Sequence, residues 1–348
     1  MACGANDSRA LAPAQVAQPR MQTAYSKPSG KTQNNGDAHL SGEKTQDPDG
    51  APSTKTAITS DGAFTDRHIS HDARSAAQRF AQLETARAVP CANLVCYTFD
   101  TAALALSAVV RSYAPLVMSF GEAHASREFS GKSTVARFTS ELLPVVAPQS
   151  SYLLVELLAP PKDGCEQEKA AAQIESDKIT ETQSQNNQSE YVALGLAAQK
   201  QRVIPDILRA TCPNLKHIAS AEGGVLAYME LIAQLFERDV SALMGRTKPG
   251  RATLLTYGGA LHNDAAPRAE RESWSFGPAL LDKTQGRYLE VDLIVPELIS
   301  DSETWRTFAW FDAYQDYQSA HSKEKGLAAL VIPWGEHSVA LIFPQTPD

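Results

Sequence analysis

The chain has 348 residues, a formal net charge of −8 and 43% hydrophobic residues. The mild acidity, with no basic stripe, argues against a nucleic-acid partner. No apolar run reaches the roughly 18 residues of a membrane span, and the length suits one large domain or two small ones.

Residues 1–70 are rich in Ser, Thr, Gln, Asn, Asp, Gly and Pro and show no hydrophobic periodicity. Such a stretch buries too little apolar surface to offset its ordering entropy and reads as a disordered tether. Residues 71–348 then read as one α/β domain. His71 to Ala88 has helical composition, with Pro90 closing it. Thr98 to Tyr113 is a stronger amphipathic helix, and PLVMSF after it is a buried strand. Ser133 or Thr134 caps a helix that ends near Pro148, and YLLVELL from Tyr152 is a second strand. Residues 160–190 are polar and partly helical, a long insertion suited to a lid.

Tyr191 to Lys200 is helical, HIASA from His217 is a short strand, and Val225 to Met244 is a strongly periodic helix. ATLLTY from Ala252 and GRYLEVDLIVP from Gly286 are strands, and ALVIPWGEHSVALIFP is a hairpin with Gly335 and Glu336 in the turn. The alternation predicts a mostly parallel central sheet flanked by helices, closed by a C-terminal hairpin. Apart from Cys3, four cysteines remain, an even number that suits two disulfides outside the cytoplasm. Proximity favours Cys91 with Cys96 and Cys165 with Cys212, against four reduced thiols.

Two similar events carry the chemistry. FGEAHASREF, residues 120–129, follows the first apolar strand, and Gly259-Ala-Leu-His262 follows ATLLTY. Both place Gly-x-x-His at the carboxyl end of a predicted strand, where open α/β sheets bind ligands. Glu156 ends a third strand at the same edge. The predicted catalytic set is therefore Glu122, His124, Arg127, Glu128, Glu156 and His262. Asn263 and Asp264 either orient His262 or cap the next element. SGKST at 130–134 lacks the first glycine of a phosphate-binding loop and reads as a helix start. His68 and His71 read as linker residues, His217 as the start of a strand, and the Glu336–His337 pair as an exposed turn or, from its place near the sheet edge, a minor site candidate.

The paired Gly-x-x-His motifs, with a Glu after an intervening strand, resemble the superfamily that joins erythromycin esterases, ChaN-type haem-binding lipoproteins and Tiki/TraB proteins. GEAH is similar to the ChaN pattern, and HASREF to the esterase pattern. The esterases usually place two residues between Glu and His, and here there is one. The resemblance spans roughly residues 100–345. Its esterase branch implies metal-free hydrolysis of an ester, lactone or amide, with His124 or His262 as base, Glu122 or Glu156 orienting it, and Arg127 binding a substrate carboxylate or stabilising the developing oxyanion. Its Tiki branch implies a peptidase with a divalent metal on His124, His262, Glu122 and Glu156. Its ChaN branch implies haem held by His124, His262 or Tyr257. Tyr257, Trp274 and Phe276 then serve as aromatic walls or as plain core packing. An inactive scaffold is a further alternative. The opening MACGAND resembles a bacterial lipoprotein cleavage site, which implies an extracytoplasmic protein anchored to a membrane through lipid on Cys3; the other reading is an ordinary cysteine. The expected partner is a small-molecule ligand or substrate.

Overall fold

The computed structural model describes residues 79–80, 86–220, 224–321 and 328–346. The predicted tether, Cys3, His68, His71 and most of the first predicted helix lie outside the described residues. Among the described residues nine strands form one sheet: β1 Arg87–Cys91, β2 Leu94–Phe99, β3 Val117–Glu122, β4 Ser150–Ala159, β5 Ile204–Arg209, β6 Thr253–Gly259, β7 Tyr288–Ile294, β8 Ala329–Gly335 and β9 Ser338–Ile342. Their order is β1-β2-β8-β9-β7-β3-β6-β4-β5. From β9 to β5 every pairing is parallel, while β1, β2 and β8 pair antiparallel. The α/β architecture and the closing β8–β9 hairpin follow the sequence reading.

Parallel strands are buried on both faces, so they read as nearly unbroken apolar runs. In β6, Leu255 and Tyr257 point to one layer with Phe120, Val155 and Val291, while Leu254 points to the other with Val117, Leu154 and Tyr288. The first layer is covered by helices Ala102–Tyr113 and Asn187–Lys200 and by a segment beginning at Thr134. The second is covered chiefly by helix Gly224–Met244, which buries Leu231, Leu235, Phe236 and Val240. A third cluster packs Trp310 and helix Phe311–His321 against Ile294, Ile332 and Ile342.

Local chemistry explains the boundaries. Thr101 caps helix Ala102–Tyr113 by accepting from the Leu104 N–H at 3.2 Å. Thr101→Ala is expected to lower stability by about 1 kcal/mol, read from the urea midpoint. Ser133 caps helix Thr134–Arg137, so SGKST is a helix start. Both expected disulfides, Cys91–Cys96 and Cys165–Cys212, are present.

Several expectations are corrected. Arg87 and Ala88 belong to β1, not to a helix, because they pair with Thr98 and Tyr97. Thr98 and Phe99 accordingly end β2 instead of opening the next helix. The described part of HIASA, His217 to Ser220, lies in helix Cys212–Ser220, whose Leu215 and Ile218 are buried at helical spacing. The final turn falls on Glu336 and His337, since Gly335 still pairs with Ser338. The polar insertion forms helix Glu166–Thr180, tied at its start by Cys165–Cys212 and packed on helices Cys212–Ser220 and Gly224–Met244.

Candidate active site

The three predicted strand ends do converge. β3 and β6 are in register, so Gly121 lies beside Gly258 and Glu122 beside Gly259. Glu122 is 4% exposed, yet both of its carboxylate oxygens are occupied. Tyr191 donates to Oε1 at 2.8 Å, and Tyr257 donates to Oε2 at 2.6 Å. His124 Nδ1 lies 3.1 Å from Oε1. A carboxylate only accepts, so the His124 proton sits on Nδ1 and Nε2 is left for the crevice. Burial works against the His124 imidazolium, but the hydrogen bond and charge of Glu122, with the charge of Glu156, raise its pKa above the ordinary value. Burial and the charge of Glu122 push both tyrosine hydroxyls well above theirs, so they remain donors.

Glu156 reaches the same place by a bulge. The β4–β5 pairing passes from Val155 with Ile207 to Leu158 with Leu208, leaving Glu156 and Leu157 outside the register. Bulges re-aim side chains, and here the carboxylate turns over the end of β6. Glu156 Oε2 accepts from the Gly259 N–H at 2.6 Å. A side chain on Gly258 would overlap that carboxylate, and a Cβ on Gly259 would stand 3.1 Å from His124 Nε2 and 3.7 Å from Glu156 Oε2. Two bare residues thus let groups from both faces of the sheet meet over one strand end.

His262 is buried in the loop after β6. Its Nδ1 donates to the Trp274 carbonyl at 2.8 Å. The neutral ring therefore carries its lone pair on Nε2, which faces Glu156 Oε1 at 3.8 Å. That gap exceeds a hydrogen bond and suits a bridging water or substrate hydroxyl.

Four predicted residues, Glu122, His124, Glu156 and His262, are brought together. Arg127 and Glu128 are not: both are exposed, and among the described residues neither bonds to the other four. The reason is local. The Arg127 N–H is held by the Thr182 carbonyl and Ser126 bridges to Gln183, so the end of the insertion turns this segment outward. Tyr257 is not open to a haem iron, being fully buried with its hydroxyl spent on Glu122. Phe276 packs against Phe236 and Tyr288 in the second core layer, while Trp274 serves through its carbonyl. The expected metal set loses Glu122 to its three donors, and among the described residues no group of three or more His, Cys, Asp or Glu is arranged to hold a metal ion. Asn263 turns inward, where its Nδ2 donates to the Ser119 carbonyl, and the half-buried Asp264 closes a local turn, its Oδ1 accepting from the Ala266 N–H; neither caps a helix among the described residues.

Sequence reasoning missed Tyr191 and the Trp274 carbonyl. The only trace of the first is a hydroxyl in the apolar helix YVALGLAA; the second leaves none, because any residue has a carbonyl. Glu122→Gln keeps the volume but brings an amide donor against buried O–H donors. It is expected to destabilise the fold by about 1–3 kcal/mol, measured by thermal unfolding.

Among the described residues no helix is long and apolar enough to cross a membrane. Comparison with known proteins returned no match of this chain to a family model, to a curated protein or to a solved structure.

Proposed function

We propose that the chain is a hydrolase that cleaves an ester, lactone or amide by general acid–base catalysis. The observation that carries this reading is the fixed proton placement: each imidazole donates through Nδ1, to Glu122 or to the Trp274 carbonyl, and offers Nε2 to the space beside Glu156. The two rings have different surroundings and take different roles. His262, neutral with its lone pair toward Glu156, accepts a proton from a water held between Nε2 and the carboxylate. The oxygen of that water bonds to the substrate carbonyl carbon. His124, whose imidazolium is favoured by Glu122 and Glu156, hydrogen-bonds the developing oxyanion through its Nε2–H and, as the intermediate collapses, transfers that one proton to the leaving oxygen or nitrogen. The carbon–heteroatom bond breaks, His262 gives its proton to solvent, and His124 takes one back from solvent, which restores both rings.

The test is a panel of ester, lactone and amide substrates offered to the wild-type chain, His124→Ala and His262→Ala. Hydrolysis by the wild type alone supports the reading. No hydrolysis on any substrate, together with saturable haem binding that either substitution weakens, replaces it with a haem-binding function.

A further inference from the structure

β7 presents an unusual inward face. Tyr288, Glu290 and Asp292 alternate along it, and all three are no more than 2% exposed. Each addresses the loop that carries His262. The Tyr288 hydroxyl donates to the Asn263 carbonyl at 2.5 Å, and Glu290 Oε2 accepts from the Ala265 N–H at 2.9 Å. Asp292 lies beside Gly121 in the register, and the Asn263 amide rests against that same glycine, where a Cβ would come within 2.5 Å of Oδ1. The residue after His262 is thus clamped between β3 and β7.

Three polar atoms in this clamp lack a hydrogen bond: Asp292 Oδ1, Asn263 Oδ1 and Trp310 Nε1. Two of them only accept. The Trp310 indole and the Asn263 amide face Asp292 and favour its ionised form, but Asp292 Oδ1 and the Trp310 N–H do not reach hydrogen-bond geometry, and a buried carboxylate so weakly paired is disfavoured. One proton on Asp292 resolves the set. The acid O–H supplies the donor that Asn263 Oδ1 lacks, and the other acid oxygen is free to accept from the Trp310 indole N–H.

We propose that Asp292 is a positioning residue for His262, holding the Asn263 side chain as a protonated carboxylic acid at neutral pH. This rests on His262 belonging to the active site and deepens that assignment. The surroundings agree. Asp264 in the loop and Glu290 on the same strand are the carboxyls that face Asp292. Gly121 of β3 and Ala340 of β9, its register partners, bring no charge. Trp310, ahead of helix Phe311–His321, brings only its indole. Arg268 and Arg271 act on Asp264. Burial, with the charge of Asp264, raises the Asp292 pKa to about 8. The proton therefore leaves as pH rises past about 8, and with it the acid's bond to Asn263 Oδ1, while the Asn263 Nδ2 bond to Ser119 and the Tyr288 bond to its carbonyl remain.

The experiment uses the full chain as wild type, Asp292→Asn and Asp292→Ala. Infrared spectroscopy across pH reads the acid itself, and histidine ¹⁵N NMR, assigned with His262→Gln, reads the ring. A carboxylic-acid band present at pH 7, lost near pH 8 and missing in Asp292→Asn, is expected. The His262 signals should shift over the same range in the wild type. They should keep the low-pH position in Asp292→Asn and lose it in Asp292→Ala at every pH. If the wild type shows no acid band at pH 7, the proposal fails even where neither variant folds. It fails equally if the band is there and His262 ignores both substitutions. Neither readout uses turnover, so a chain without hydrolase activity still decides the question.

Discussion

His124→Ala and His262→Ala are each expected to lower hydrolysis by about 10²–10⁴-fold, the usual worth of a general acid or base. Their effects on stability should differ. Removing His124 leaves Glu122 with both tyrosine donors, so the melting temperature should hardly move. Removing the buried His262 strands the Trp274 carbonyl, at a cost of about 1–3 kcal/mol. The two losses should also combine non-additively, because acid and base serve one transition state. The rate should fall as pH rises through the raised His124 pKa, where the acid loses its proton. Glu122→Gln, which removes the supporting charge, should move that alkaline limb to lower pH. Initial rates over a pH series for the single and double variants test all of this. Full activity in His124→Ala would reject the assigned role.

Asp292→Asn is expected to change how stability depends on pH. Asp292 is raised in the folded chain from 3.8 to about 8 by burial and by Asp264. Between those values the unfolded chain has released the proton and the native chain retains it. Unfolding therefore releases a proton, and native stability falls as pH rises. The contribution is fully present below pH 3.8 and has been lost above about pH 8. Each pH unit in that window is worth about 1.4 kcal/mol before relaxation or water entry reduces it, so a total of a few kcal/mol is expected. Asparagine, which cannot ionise, should flatten the curve and exceed the wild type in stability at pH 8. Urea unfolding at pH 5, 6, 7 and 8 measures it, and parallel curves for the two proteins would contradict a buried neutral acid.

The contrast between these two predictions shows what was legible in the sequence. Strand ends that deliver histidine are visible because glycine follows an apolar run, as in TLLTYGG. Glu156 is visible for the same reason, although not its bulge, which depends on a neighbouring strand. β5 was hidden because IPDILR is an exposed edge with no clean apolar pattern, and β1 because Pro90 reads as a helix stop. Glu290 and Asp292 give no sign of their burial in the sequence. In YLEVDLI their alternation suggests a strand with one wet face, whereas both faces are buried. Arg127 and Glu128 were misplaced because proximity in sequence says nothing about a turn imposed by residues 182 and 183.

The bare pair Gly258–Gly259 has a mechanical consequence. His124 and Glu122 ride on the layer built around Phe120 and Tyr257, while His262 rides on the layer built around Tyr288. The gap beside Glu156 is therefore a seam between two separately packed layers, and its width registers any sliding of one layer over the other. A ligand that fills the seam joins them. Occupied at 100 times its dissociation constant, it would add about 2.7 kcal/mol to the native state. That gain should emerge as slowed amide exchange on both sides of the sheet at once, including backbone far from any atom the ligand touches.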